Sequence, residues 1–240
     1  MRSWRPALVC ALLALAVGHP AEAGSFSAVP VRLALTPVAR TVSLTIENHG
    51  EEEVLVQSQM MAWSQRDGSD VLEESRDLLV SPPIFRIPAR GTQTLRVGLM
   101  RNADPSRQLT YRLFLQETPP PPKAGQQGVT VALRLSLPVF VAPVAPIAPQ
   151  FRWEARPAAG GSLALTLLNS GNAHVQLVDF KLFLPDGALL AEQQVVAYVL
   201  AGQSRSWVLK PTRAWDGEKL KLTAKTDAGE ISAEIAAASR

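Results

Sequence analysis

Few residues of this chain belong to types that catalyse reactions or bind metals, and none of them forms a catalytic motif. The 240 residues include one cysteine and three histidines. His49 and His174 each lie in a turn that contains Asn and Gly, where a solvated residue is expected. There is no Gly-x-Ser-x-Gly elbow, no phosphate-binding glycine loop and no His-Glu-x-x-His pair. The sequence therefore predicts neither an enzyme nor a site for a metal or another cofactor.

The charged residues also lack a functional grouping. The acidic runs at 51–53 and 73–74 are typical of turns and strand edges rather than of a paired acid and base. The net charge of +3 is small and scattered, so the chain lacks the basic patch of a nucleic-acid-binding protein. With 47% hydrophobic residues, the chain can instead bury a substantial core.

The N-terminus has the pattern of a cleavable secretory signal. Arg2 and Arg5 precede an apolar run at 7–18, and Ala-Glu-Ala follows at 21–23. The run is too short to span a membrane, which takes about 20 residues, so no membrane insertion is predicted. The alternative, a buried N-terminal helix, does not require this order of basic, apolar and small residues. Cleavage after Ala23 removes Cys10, so packing without disulfides must stabilise the exported chain.

The elements that would position any site are predicted to be strands. Short segments rich in Val, Leu and Thr, separated by Gly, Pro, Asn or Asp, indicate an all-β chain. Regularly spaced prolines between the two halves predict a stiff, extended linker. The segment 186–201 is open between a helix and a hairpin strand, because its apolar pattern and its flanking turn residues suit both. The predicted organisation is a signal at 1–23, a domain at 24–142, a linker at 143–149 and a domain at 150–240.

An internal repeat indicates that the two domains are duplicates. The segment 43–50 recurs at 164–171 with four of eight positions identical, and 87–95 is echoed at 199–207 in the same order. About seven short strands in each half favour a pair of immunoglobulin-like β-sandwiches. Tyr111 opens a strand and is either the tyrosine corner of such a domain or an ordinary strand aromatic.

One predicted strand alternates unusually well. Val129, Val131, Leu133, Leu135 and Leu137 share one face of it, and we call these five residues the apolar row. In the ordinary interpretation, the row covers the core of its own domain. In the functional interpretation, it belongs to an edge strand that completes the sheet and core of a partner lacking a strand. Five buried aliphatic side chains would contribute about 8–15 kcal/mol before ordering costs.

Motifs before this strand resemble a known family. Residues 79–97 contain a Pro-Pro pair and a Gly-x-x-x-x-Arg-Val strand, and residues 111–120 run from Tyr-Arg-Leu to a Glu-x-Pro-Pro ending. In this order, the motifs resemble the periplasmic chaperones of the chaperone-usher fimbrial pathway, over most of the first domain and more weakly in the second. The resemblance implies two immunoglobulin-like domains in a boomerang arrangement. It also implies a partner, a fimbrial subunit that lacks its final strand and is passed without ATP to an outer-membrane usher.

The resemblance also implies an anchor for the subunit's terminal carboxylate, because the family uses basic residues in the cleft between its domains. Arg32 lies sixteen residues before Asn48, the usual spacing of the first anchor. The second usual anchor is a lysine, and Pro138 stands at that position. The Tyr-Arg-Leu motif around Arg112 and the Arg-x-Ser-x-Pro motif that begins at Arg134 are closer to the alternative, or archaic, branch of the family. The expected anchors are therefore Arg112, Arg32 and Arg134, in that order, although an arginine can also merely cap a sheet edge.

The sequence thus predicts a monomeric, non-enzymatic assembly chaperone that is exported to the periplasm and lends the apolar row to a fimbrial subunit. One alternative is a structural fimbrial or surface adhesion protein with immunoglobulin-like domains, which would self-assemble at the cell surface. Another is a carbohydrate-binding module, which would need Trp153, Trp207 or Trp215 as an exposed platform. The sequence does not identify the subunit, the usher or the fimbria.

Overall fold

The described part of the chain is almost entirely β. A computed structural model describes residues 26–119 and 131–236. The expected signal peptide and Val129 lie outside these ranges. Within them, no helix is long and apolar enough to cross a membrane. The strands are β1 Phe26–Val29, β2 Leu33–Leu35, β3 Thr41–Asn48, β4 Val54–Arg66, β5 Ser69–Glu74, β6 Leu78–Ser81, β7 Ile84–Ile87, β8 Thr92–Leu99, β9 Leu109–Glu117, β10 Arg134–Val141, β11 Phe151–Ala158, β12 Ser162–Asn169, β13 Val175–Phe183, β14 Leu189–Val199, β15 Ser204–Leu209, β16 Leu220–Thr226 and β17 Gly229–Ile235, with a 3₁₀ turn at Ala159–Gly161.

The strands form two sandwiches with separate cores. In the N-terminal sandwich, a sheet of order β1-β3-β8-β6 packs against one of order β2-β10-β9-β4-β5, in which β7 also pairs with β4. In the C-terminal sandwich, a sheet of order β11-β12-β15 packs against one of order β14-β13-β16-β17. Alternating burial along strands such as β12 explains this arrangement, because every second side chain enters the core. The predicted all-β fold is confirmed.

The repeated sequences make the same contacts in both sandwiches. In the N-terminal sandwich, the side-chain amide of Asn48 donates to the carbonyls of Glu52 and Ile87 at 2.7 and 3.2 Å. In the C-terminal sandwich, the amide of Asn169 donates to the carbonyls of Ala173 and Val199 at 2.8 and 3.0 Å. Each asparagine is buried and joins the first repeated segment to the start of the second. Two sequence matches found separately thus form one hydrogen-bonded unit in each domain.

Two open expectations are decided by the strands. The segment 186–201 contains β14, which pairs antiparallel with β13 after a turn, so the helical alternative is wrong. Tyr111 is buried on β9, and its hydroxyl donates to the side chain of Asp77 at 2.8 Å. A tyrosine corner bonds to nearby backbone instead, so Tyr111 is a buried strand aromatic. Burial and the bond to Asp77 raise the pKa of Tyr111.

Polar side chains of the N-terminal sandwich bond directly to the backbone of the C-terminal one. Gln65 is buried. Its side-chain oxygen accepts a hydrogen bond from the Leu200 backbone N–H at 3.0 Å, and its side-chain nitrogen donates to the Tyr198 carbonyl at 2.9 Å. Gln108 is also buried and accepts the His174 amide at 3.0 Å. Because these bonds need a defined length and direction, a change in the angle between the two sandwiches would break them and leave buried polar atoms without partners. The two sandwiches are therefore held in one relative position.

The proline-rich segment between the sandwiches contains no strand or helix and is bonded to both sandwiches. The Val144 amide donates to the Asp104 carbonyl at 3.0 Å, which is on the N-terminal side. The Ala148 amide donates to the Asn172 side chain at 2.8 Å, on the C-terminal side. These bonds fit the expected stiff linker.

Candidate functional site

One edge of β10 is left open over part of its length. Along its whole length, β10 pairs antiparallel with β9. On its other side it pairs with β2, in parallel, only from Val139 to Val141. No other described strand pairs there, so the stretch Arg134 to Pro138 has an unpaired side, which we call the free edge. An open row of backbone donors and acceptors of this kind is a template for another strand.

The direction of the backbone groups follows from two hydrogen bonds. The Glu117 amide of β9 donates to the Leu133 carbonyl at 2.9 Å, and the Ala142 amide donates to Leu35 of β2 at 2.9 Å. Because successive residues of a strand direct their backbone groups to opposite sides, the odd-numbered residues face β9 and the even-numbered ones face the other side. Arg134 and Ser136 therefore direct both N–H and C=O groups to the free edge, whereas Pro138 has only a carbonyl to offer.

The apolar row runs from the core of the N-terminal sandwich out to this edge. Leu137 is buried and Val131 is 62% exposed, while Leu133 and Leu135 between them are partly buried against the core. The predicted strand was too long at its start, because β10 begins at Arg134. Leu133 is bonded to Glu117 of β9: the Glu117 backbone N–H donates to the Leu133 carbonyl, and the Glu117 side chain accepts a hydrogen bond from the Leu133 N–H. The row thus leaves apolar surface exposed where the sheet ends.

Arg112 is level with the inner end of the free edge and has no direct ion pair among the described residues. It stands opposite Pro138 in the β9–β10 register. Its guanidinium carbon is 3.9 Å from the centroid of the Trp63 ring and 5.4 Å from that of Tyr198. Such cation-π contacts favour the charge without using the N–H donors. Within the described residues, the guanidinium makes no hydrogen bond or ion pair, and burial lowers the pKa of Arg112 although the charge of Asp70 opposes this.

Arg32 lies near Arg112 but is bound to the C-terminal sandwich. It precedes Leu33, the residue of β2 opposite Val139, so it is level with Pro138. Its guanidinium donates to Asp227 Oδ2 at 2.6 Å and to the Gln176 side chain. Its carbon is 5.9 Å from the centroid of the same Tyr198 ring that Arg112 approaches. The structure therefore brings two of the three predicted arginines to one place.

Arg134, the third predicted anchor, is elsewhere. It begins β10 opposite Gln116, and its guanidinium carbon lies 4.1 Å from the centroid of the Phe114 ring. Four residues of strand separate it from Pro138, which amounts to about 13 Å. Arg134 is exposed and marks the outer end of the free edge, not the site where Arg32 and Arg112 meet.

One sequence interpretation in this region is wrong and two residues were missed. His174 was expected to be solvated, but its side chain is only 11% exposed. It stacks on Phe140 of β10 with ring centroids 3.6 Å apart. No sequence motif marks Trp63 or Tyr198, yet their rings flank Arg112. Only the pairing of β4 with β9 and the contact between the sandwiches reveal these roles.

The ion pair between Arg32 and Asp227 makes the folding stability depend on pH. Burial alone would raise the pKa of Asp227, but contacts with His174, the Gln176 amide and Arg32 hold it well below its usual range. A depressed carboxyl pKa contributes stability that is complete above about pH 5 and is lost as the pH falls through the folded-state pKa.

We expect the thermal midpoint to fall more between pH 6 and pH 3 in the unmodified protein than in Asp227→Asn, because the variant has no carboxylate to protonate. Calorimetry at stepped pH measures this difference. Asp216→Asn, at an exposed carboxylate outside the pair, is the control and should behave like the unmodified protein. Equal acid sensitivity of Asp227→Asn would contradict the assigned role.

The family follows from a comparison with family models. The model of the pili and flagellar-assembly chaperone, PapD N-terminal domain, matches residues 25–146, which is half of the chain. The chain belongs to this chaperone family. No curated protein sequence matches it significantly.

Solved structures similar to this chaperone show its fold. One is a chain of the CsuC-CsuE chaperone-tip adhesion subunit pre-assembly complex from archaic Csu pili of Acinetobacter baumannii. It has 20% identity and a TM-score of 0.66, with 90% of this chain and 100% of that chain covered. The E. coli chaperone DraB has 21% identity and a TM-score of 0.61, with 89% and 97% covered. A chain of the Salmonella enterica SafA pilin complex with the SafB chaperone has 18% identity and a TM-score of 0.61, with 88% and 95% covered. The two sandwiches are therefore immunoglobulin-like domains, as expected.

Proposed function

We propose that this assembly chaperone binds an incomplete fimbrial subunit in the periplasm by lending it β10, and later delivers it to an outer-membrane usher. The observation that carries the proposal is the free edge of β10. It combines unpaired backbone groups at Arg134 and Ser136 with a row of apolar side chains whose outer end is exposed to solvent. A strand added there would gain backbone hydrogen bonds and bury the alternate side chains of the apolar row.

The added strand would end at β2, where the two arginines can bind its terminal carboxylate. From Val139 onward the edge is occupied by β2, so a strand paired along the free edge has to stop near Pro138. Arg112 lies at that level with its N–H donors unused among the described residues, and a guanidinium binds a carboxylate through two parallel, charge-assisted bonds. A terminal carboxylate fits this position, and Arg32 lies close enough to take part.

The kind of partner is supported by the similar structures. They include one of a chaperone with a tip adhesion subunit and one of a chaperone with a pilin. The family of the chain and its free edge together favour such a subunit over a soluble protein of another class.

Co-expression tests the proposed function. The fimbrial subunit that co-purifies from a periplasmic extract is produced with and without this chaperone, and the soluble subunit in the periplasmic fraction is measured. We expect soluble subunit, in a complex with one copy of the chaperone, only when the chaperone is present. Recovery of this chain in polymers at the cell surface would instead support the structural fimbrial protein.

A further inference from the structure

The candidate anchor Arg32 already has a carboxylate partner within its own chain. Asp227, in the turn between β16 and β17, is 195 residues away along the sequence and accepts a hydrogen bond from Arg32 Nη1 at 2.6 Å. The other terminal nitrogen of Arg32, Nη2, donates to Gln176 and lies 3.4 Å from the Tyr198 hydroxyl. Both terminal nitrogens therefore point to the C-terminal sandwich, whereas Arg112 has no such partner among the described residues.

Asp227 does not depend on Arg32 alone. Its Oδ1 accepts a hydrogen bond from the Gln176 backbone N–H at 3.0 Å, and its Oδ2 lies 3.5 Å from His174 Nε2. These contacts would keep the carboxylate in place if Arg32 turned away. The Arg32 side chain is 35% exposed, so it can also be reached from the solvent.

The position of Arg32 makes an exchange of partners possible. It is level with Pro138, where a strand added along the free edge ends. Its guanidinium and that of Arg112 both lie within 6 Å of the Tyr198 ring centroid. The two guanidinium carbons are therefore at most about 11 Å apart, so a turn of the long Arg32 side chain would bring it to a carboxylate bound to Arg112.

We propose that Asp227 is a positioning residue that competes with the subunit's terminal carboxylate for Arg32 and thereby speeds release of the subunit. The proposal rests on the proposed function. In the free chaperone, Asp227 neutralises Arg32 and leaves Arg112 as the first contact of the incoming carboxylate. When the subunit leaves, Arg32 forms its ion pair with Asp227 again. The exchange of partners therefore needs no energy source other than binding. A purely structural role for Asp227 predicts the opposite effect on release, because loosening the two sandwiches would weaken the site.

The test uses a synthetic peptide of alternating threonine and valine residues that ends in a free carboxylate, and the same peptide ending in an amide. Dissociation from the full chaperone is measured by stopped-flow fluorescence. Asp227→Asn keeps the shape and the Gln176 contact but removes the competing charge. We expect the carboxylate peptide to leave this variant roughly tenfold more slowly than the unmodified protein, and the amide peptide to be unaffected.

Three further variants make the test specific. In Arg32→Ala, adding Asp227→Asn should no longer slow dissociation, because the residue competed for is absent. Asp186→Asn removes the carboxylate of a surface pair with Arg213 in another turn and should change nothing. Unchanged or faster dissociation from Asp227→Asn, while the unmodified protein still prefers the carboxylate peptide, would overturn this inference alone. If no variant distinguishes the carboxylate from the amide, the carboxylate anchor of the proposed function is wrong as well.

Discussion

Replacing Leu133 and Leu135 by aspartate should remove soluble subunit from the periplasmic fraction. Both side chains are only partly buried in the free chaperone, and both belong to the apolar row beside the free edge. In the proposed complex, each substitution would remove roughly 1.5–3 kcal/mol of binding free energy from apolar burial. Each would also place a carboxylate in an apolar groove of the subunit. Together these effects weaken the complex by at least about a hundredfold. The measurement is the amount of subunit that co-purifies with each variant.

A matched control separates this effect from damage to the fold. Val208→Asp also introduces a charge at an apolar residue of an edge strand, but in the C-terminal sandwich, where Val208 is 71% exposed. It should leave subunit recovery unchanged. Circular dichroism and thermal unfolding show whether the leucine variants are folded. Full subunit recovery with folded Leu133→Asp and Leu135→Asp would mean that β10 is not lent to the subunit.

Arg112→Ala should produce the second large effect, a complex weaker by roughly 30- to 5,000-fold. Removing one partner of a desolvated charge pair costs about 2–5 kcal/mol, because the other charge is left without compensation. The affinity of Arg112→Lys should fall between those of the unmodified protein and Arg112→Ala, since an ammonium cannot form two parallel bonds to a carboxylate. Titration with the carboxylate and amide peptides measures the effect, which should appear only with the free carboxylate.

The control for Arg112 is an arginine on the other sheet. Arg96→Ala removes an exposed guanidinium from β8, away from the free edge, and should leave peptide affinity unchanged. Equal affinity of Arg112→Ala and Arg96→Ala for the carboxylate peptide would show that Arg112 is not the anchor.

Much of the fold was predictable because it depends on local sequence patterns. Short apolar segments separated by turn residues predicted an all-β chain, and the two repeated segments predicted a duplicated sandwich. Asn48 and Asn169 show why the repeats are informative, since each holds two distant segments together by one buried amide. The outer end of β10 was predicted less well, because alternation continues to Val131 after the pairing with β9 has ended.

The candidate site was predictable only in part, because its parts come from distant segments. The family resemblance nominated Arg112 and Arg32, and the structure places both beside Tyr198. No sequence pattern links Arg32 to Asp227, which belongs to the other sandwich. The burial of His174 also arises from contact between the sandwiches, so the local turn signal pointed to solvent instead. Contacts of this kind require the relative position of the two domains, which strand patterns do not specify.

Residue-resolved amide hydrogen exchange shows whether β10 donates its free edge to the subunit. In the free chaperone, the amides of Arg134 and Ser136 face the free edge and should exchange rapidly, whereas the Leu135 amide faces β9 and serves as a slow internal control. When the subunit binds, we expect the exchange of Arg134 and Ser136 to slow by at least about a hundredfold, because both amides become hydrogen-bonded to the added strand. If both amides still exchange rapidly in a complex that holds the subunit, β10 does not donate its edge and the proposed function is wrong.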